Sequence, residues 1–383
     1  MNEAIEIADI AVIGAGPVGM TLALALAGSP WRVRLIDSRS PTAWASDPRA
    51  LALSHGTRQV LTGLDAWNDA AATPITTIHV SQRGGFGRTL IEASDYDIPA
   101  LGYVMRYREL ASRLASRLDA QSLLHDTLVV GLAVDAQTVT LRLGGANGER
   151  MLCARLVVHA EGTPGAASDV RVFEYRQHAV VAEVRPNAPP GGRAWERFTP
   201  DGPLALLPLG NDYSIVFTVP PGRAEHLQTL SDEDFIAALR EQFGRRVDFL
   251  ASGRRAAFPL ALRVRRRLAG ARQVWIGNAA QSLHPVSGQG FNLGLRDACE
   301  LAAALGDSRD DPGSAQILDR YARRRWLDRS GSMAFTDGIV RAFSNDIAPL
   351  RAARGLGLLA LDTLPALRHF VAKRMIWGAR AWP

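Results

Sequence analysis

Gly14-Ala15-Gly16-Pro17-Val18-Gly19 follows a short apolar run, Asp9 to Ile13, and leads into a stretch of small and apolar residues, Val18 to Ala27. That is a strand, a tight turn and a helix written in sequence form. Trp31 to Ile36 then alternates as a second strand and stops at Asp37. In such a unit the glycines admit a pyrophosphate close to the backbone at a helix N-terminus, and an acid at this distance accepts from ribose hydroxyls. The stretch predicts a dinucleotide site built on Gly14, Gly16, Pro17 and Gly19, with Asp37 on the ribose. An acid there favours an unphosphorylated adenosine ribose, as in FAD or NAD, over NADP.

A second glycine-rich stretch lies far downstream: Gly277-Asn278-Ala279-Ala280-Gln281-Ser282-Leu283-His284-Pro285-Val286-Ser287-Gly288-Gln289-Gly290-Phe291-Asn292. Val274 to Ile276 reads as the strand before it, and a helix is expected to start near Gly290. Gly288 and Gly290 let the backbone approach a flat ring or a pyrophosphate with no Cβ between, and the helix start offers unpaired N–H groups to an anion. Together the two stretches describe a chain that closes over one dinucleotide from two sides.

The rest of the sequence is read around this pair. With 383 residues, 47% hydrophobic and 21% charged, it holds enough for one large or two interleaved globular domains. No apolar run is long enough to span a bilayer, and the N-terminus lacks the basic region of a signal peptide. Cys153 and Cys299 fit no metal spacing and read as reduced thiols. The net charge is +6. Arg263, Arg265, Arg266 and Arg267 cluster before the second glycine stretch and Arg320, Arg323, Arg324, Arg325 and Arg329 beyond it, each read as a solvated face. No motif for reading nucleic acid accompanies them. Arg368, Lys373, Arg374 and Arg380 lie among Phe370, Met375, Ile376 and Trp377, a composition that suits a membrane surface. Asp47 to Leu61 reads as a loop running into a helix at Ser54. Ile75 to Tyr103 reads as strands, Arg106 to Ala120 as a helix, Leu124 to Leu143 as a hairpin and Leu152 to Ala160 as a buried strand. Val170 to Val219 is β-rich and Ser231 to Phe243 a helix capped by Ser231. Leu293 to Leu305, Ala315 to Ser330 and Phe335 to Phe343 read as helices, and the chain from Pro349 onward as helical with breaks.

The fingerprint, the Gly277-Asn278-Ala279-Ala280 turn and Pro285 with Gly288-Gln289-Gly290 resemble the group A flavoprotein aromatic hydroxylases, the para-hydroxybenzoate-hydroxylase-like proteins. Leu283 to Asp297 is similar to the ubiquinone-biosynthesis hydroxylases among them. Ile78-His79-Val80-Ser81, Arg197-Phe198-Thr199 with Gly202-Pro203-Leu204-Ala205, and Thr336-Asp337-Gly338 with Arg341 to Asn345 resemble the UbiH type. Two positions depart from the pattern. Asn278 stands where most members carry Asp, and Glu161-Gly162 stands where they carry Asp-Gly.

The resemblance implies an α/β fold: a Rossmann-like FAD-binding domain (1–72, 104–169 and 266–345), an interleaved β-rich substrate domain (73–103 and 170–265) and C-terminal helices (346–383). It implies FAD contacts from Gly14, Gly16, Pro17, Gly19, Asp37, Arg49, Arg108, Glu161, Gly277, Asn278, Pro285, Gly288, Gly290, Phe291 and Asn292. Pro285, Gly288, Gln289 and Gly290 would shape the oxygen pocket as the catalytic set, with no metal. The implied reaction is hydroxylation of a polyprenylated phenol, of the 2-polyprenyl-6-methoxyphenol type, through a flavin C4a-hydroperoxide. O2 would be co-substrate, and NAD(P)H or a protein electron donor the reductant. Partners would be the lipid substrate, a ubiquinone-biosynthesis complex and, through the C-terminal region, the inner face of the cytoplasmic membrane, with no nucleic acid. A related flavin-dependent reductase or dehydrogenase, or a weakly catalytic flavin-binding subunit, stays open beside this. His284 and His55 are read as structural, and Leu204 to Leu209 with Val216 to Val219 as candidate substrate walls.

Overall fold

The computed structural model describes residues 6–145, 148–165, 167–244, 246–306, 310–345 and 347–378. The chain begins with β1 (Glu6–Ile13), α1 (Pro17–Ala25), β2 (Val33–Ile36), β3 (Ala50–Ser54), α2 (His55–Gly63), β4 (Thr73–Ile75), β5 (Thr77–Gln82) and β6 (Arg88–Glu92). β7 (Gly102–Arg106), α3 (Tyr107–Ala115), β8 (Leu123–Leu124), β9 (Thr127–Val134), β10 (Val139–Gly145) and β11 (Gly148–His159) follow. Then come β12 (Val170–Pro186), β13 (Arg193–Phe198), β14 (Pro203–Leu209), β15 (Asp212–Val219), α4 (Pro221–Thr229), α5 (Asp232–Phe243), β16 (Phe249–Ser252) and β17 (Ala256–Arg265). The last elements are β18 (Ala269–Gly270), β19 (Gln273–Trp275), β20 (Gln281–Ser282), α6 (Gln289–Gly306), α7 (Ala315–Phe343), α8 (Ala348–Thr363) and α9 (Pro365–Trp377).

β19, β11, β1, β2 and β8 lie side by side and parallel, with the β9–β10 hairpin running antiparallel off β11. β1 is buried on both faces, as a central parallel strand requires. Ile10, Val12, Leu35 and Val158 pack there with Met20, Leu22, Leu295 and Leu301 from α1 and α6. The second sheet runs β20-β17-β12-β15-β14-β13-β5-β6. One face of it packs on α4 and α5 through Phe217, Phe235, Leu239 and Phe243. β3, β7 and β4 form a small third sheet, and β14 and β7 lie close enough to bring it against the second.

Three sequence expectations are revised. Ala50 to Ser54 is a strand rather than a loop, because it pairs along its length with β7, from Ala50 opposite Arg106 to Ser54 opposite Gly102. Ala315 to Phe343 is one continuous helix; its internal Gly331 and Gly338 lower helix propensity but do not break the hydrogen-bond ladder. Arg325 and Arg329 are not on a solvated face: each is at least nine-tenths buried, on the side of α7 that meets α6. Arg380, from the basic tail, lies outside the described residues.

Candidate cofactor and substrate cleft

α1 begins at Gly16, with Pro17 at its first position and no side chain capping it, so its first amides point into open space. Gly14 has φ +103°, and a Cβ on it would stand 2.5 Å from the Ala160 carbonyl oxygen. A Cβ on Gly19 would meet the Gly14 oxygen at 2.1 Å, so that glycine serves helix–turn packing and does not face the cleft. Asp37, 5% exposed, accepts from the Ala15 amide at 2.8 Å and from Arg39 through both oxygens. Burial pushes its carboxyl up, but the hydrogen bonds from Arg39 and Ala15 outweigh it and hold the group below the ordinary value.

The second glycine turn is bolted to α6 and α7. The Gly277 amide donates to Asp297 at 3.0 Å, and Gln281 donates to the same oxygen at 2.7 Å. The other Asp297 oxygen accepts from Arg325 at 2.6 Å. Arg325 also donates to Asp328, and Arg329 to Gln281 and the Ala280 carbonyl. Asp297 is fully buried. Sequence reading passed over Asp297, Arg325 and Arg329 as site builders; charged residues on the inner face of a helix beside a glycine turn were the signal.

Further along, the Val286 amide donates to Nδ1 of His284 at 3.1 Å, and burial pushes that imidazole down to about 4. Asn292 accepts from the Ser54 amide and the Thr57 hydroxyl, and donates to the carbonyls of Ala52 and Gly288. It therefore clamps β3 against the start of α6. Gly288 has φ +62°, and a Cβ there would lie 2.9 Å from that of Ala52, whereas a Cβ on Gly290 would meet nothing within 4 Å.

These pieces border one cavity of about 1160 Å³. It reaches from Gly14, Gly16, Pro17 and Asp37, past Arg49, Glu161, Gly277 and Asn278, to Pro285, Gly288, Gly290 and Phe291. At its far end it meets the second sheet at Val181, Leu207 and Val216. Arg49 is held by Asp47 and lies over the Tyr107 ring at 4.8 Å.

Besides Gly19, three expected site residues are placed elsewhere. Arg108 is outside the cavity, half exposed and paired with neighbouring Glu109, because the first turn of α3 aims Tyr107 inward and Arg108 outward. The Gln289 amide donates to the Met375 carbonyl of α9, which turns it away from the cleft. Asn292 is spent on the β3 clamp. Gln289 and Asn292 instead border a smaller apolar pocket beneath α9.

The arrangement suits an extended dinucleotide carrying a flat ring system: free amides at the α1 start for a pyrophosphate, and glycines where a Cβ would fill the cleft. A family model described as FAD binding domain matches residues 7–331. The chain belongs to the FAD binding domain family. Among the family's relatives, ubiquinone hydroxylase UbiL of Rhodospirillum rubrum is 33% identical, covering 99% of this chain and 91% of that protein. The 3-demethoxyubiquinol 3-hydroxylase of Escherichia coli is 29% identical, covering 95% of this chain and 97% of that protein. Among solved structures of this fold, p-nitrophenol 4-monooxygenase PnpA from Pseudomonas putida superposes with a TM-score of 0.79 at 18% identity, covering 98% of this chain and 100% of that one. The FAD-binding family fold is thus carried by nearly the whole chain.

Proposed function

We propose that this protein is an FAD-dependent monooxygenase that hydroxylates the aromatic ring of a polyprenylated phenol in ubiquinone biosynthesis. The observation that carries the reading is the continuity of one cavity from the two glycine turns to the apolar face of the second sheet. The names of the UbiL and Escherichia coli relatives support the substrate class. In this reading residues 1–72, 104–169 and 266–345 hold the cofactor, and 73–103 with 170–265 supply the substrate wall.

The amides of Gly16 and Val18 at the start of α1 would hold the pyrophosphate, beside Pro17, which has no N–H to give; Asp37 would take the ribose after Arg39 yields, and Gly277 with Asn278 the ribityl end. Bound FAD, reduced by NAD(P)H or by a protein electron donor, supplies the activation of O2. The chain's own part is placement, water exclusion and charge. Gly288 and Gly290 let the backbone close on the ring, and the α6 N-terminus sets positive potential where negative charge gathers. Val181, Leu207 and Val216 keep water away, which guards against loss of oxidising equivalents as peroxide.

Among the described residues no helix is long and apolar enough to cross a membrane. α8, α9 and the link between them nevertheless expose Leu356, Leu359, Leu364, Leu367 and Phe370, with Lys373 and Arg374 close by. This supports peripheral contact with the inner face of the cytoplasmic membrane. A ubiquinone-biosynthesis complex is the proposed protein setting.

The test is an absorbance spectrum of the purified protein, then anaerobic reduction, and then product analysis with a short-chain prenylphenol in the presence of labelled O2. Oxygen from the gas in a hydroxylated ring is the expected result. A colourless protein that takes up no FAD, or turnover that proceeds without O2, overturns it.

A further inference from the structure

Trp195 and Arg197 on β13 point toward α5: the Trp195 ring meets Phe243, and Arg197 donates to the Gln242 carbonyl at 2.5 Å. Glu196, between them, must project from the opposite face of the sheet. The register places it across from Val80 on β5 and Ala205 on β14; Ala205 lies across from Val216, and Val216 from Val181. All five residues of this row are only half-buried, while Leu204, Leu206, Ile215 and Phe217, on the α5 side, are fully buried. Val181 and Val216 border the cofactor cavity. The row therefore continues the sheet face that walls the cavity at Val181 and Val216, past the single methyl of Ala205, to Glu196.

A carboxyl in this place is costly unless something satisfies it. Oε1 of Glu196 is buried and has no hydrogen-bond partner. Its surroundings are apolar: Val80 and Ala205 across the strands, and Ala194 and Phe198 on its own strand. Val286 and Val340 pack with Phe198 and Val80 from the turn before α6 and from α7. The ionisable member of that cluster, Tyr175, donates to Asp337. Burial alone, with no charged neighbour contributing, pushes the Glu196 carboxyl up to about 7.

We propose that Glu196 binds the phenol hydroxyl of the substrate and accepts its proton; this deepens the hydroxylase reading above and rests on it. The phenol O–H bond breaks, its electron pair stays on the oxygen, and the proton passes to Oε1. The phenolate so formed pushes electron density into the ring carbon that takes up oxygen. The ring carbon that forms the new C–O bond loses its own hydrogen as a proton, which ends on the second oxygen atom as that atom leaves as water. The Glu196 proton returns to the original phenol oxygen, so Glu196 ends each cycle as a carboxylate. A group that titrates near neutrality is suited to both directions.

The test uses the full-length FAD-loaded protein, a short-chain prenylphenol as probe, and the isosteric Glu196→Gln variant, with Glu196→Asp as the conservative control. Binding is read by equilibrium dialysis, ionisation of the bound probe by its ultraviolet difference spectrum, and turnover across pH. We expect wild type to hold the probe as phenolate. Glu196→Gln should bind it neutral and lose roughly 100-fold in kcat/KM, together with the pH limb near neutrality, at unchanged flavin spectrum and melting temperature. Glu196→Asp should recover part of the phenolate signal. A Gln variant with the wild-type phenolate band and pH profile overturns the assignment, as does a wild type that binds no phenol. If wild type binds phenol in a Glu196-dependent manner yet hydroxylates nothing, the hydroxylase reading fails and the phenol site stands.

Discussion

Replacing Asp297 with alanine tests whether the second glycine turn is held from behind by α6. The change removes the acceptor for the Gly277 amide at 3.0 Å, for Gln281 at 2.7 Å and for Arg325 at 2.6 Å, all in a site closed to solvent. Removing one member of a buried ion pair costs about 3–5 kcal/mol. Arg325 keeps Asp328 at 2.7 Å, which softens that loss. The orphaned Gly277 amide adds back about 1–3 kcal/mol, so the net is about 4 kcal/mol, against a total stability of about 5–15 kcal/mol. With a melting entropy of about 2.1 cal/mol/K per residue, 4 kcal/mol lowers the melting temperature of a chain this long by about 5 °C. Scanning calorimetry of the FAD-free protein measures this directly. FAD affinity should fall as well, because Gly277 borders the cofactor cavity. Asp297→Asn, which keeps an acceptor oxygen but not the charge, should fall between. A melting temperature for Asp297→Ala equal to that of wild type would refute the idea that this carboxylate bolts the turn.

Gly290→Ala should fold normally, since a Cβ there meets no atom within 4 Å, but should weaken FAD binding by placing a methyl in the cleft; a flavin fluorescence titration reads it. Gly14→Ala should fail at folding instead, because φ is +103° and the new Cβ meets backbone at 2.5 Å, which soluble yield and circular dichroism will show. His284 and His79 are both pushed down to about 4 from 6.5, with burial the largest cause. The unfolded chain binds these protons first as pH falls, so their contribution is complete above about pH 6.5 and is lost as pH drops toward 4. Urea titrations should show stability declining by up to about 1.4 kcal/mol per pH unit for each group, with a shallower slope in His284→Asn. Leu367→Ser with Phe370→Ser should reduce sedimentation with anionic vesicles while leaving the flavin spectrum unchanged, and equal sedimentation would count against α9 as the membrane contact.

The linear sequence determined the parts whose chemistry is local. The strand–turn–helix–strand order that runs into Asp37 and the Ser231 cap depend on residues near one another in the chain, and the structure has them as read. Two glycine turns of this type in one chain were enough to predict a dinucleotide gripped from both sides. What the sequence could not show depends on partners distant along the chain. Ala50 to Ser54 became a strand only because β7 lies beside it, and Arg108 was turned outward by the way α3 docks. Arg325 and Arg329 resemble surface arginines until α6 brings Asp297, and β20 brings Gln281, against them. Glu196 alternates like any strand residue; only the pairing of β5, β13, β14, β15 and β12 puts it in one row with the cavity wall. Burial and unmet hydrogen bonds are properties of packed neighbours, so a buried acid becomes visible only once the sheets are assembled.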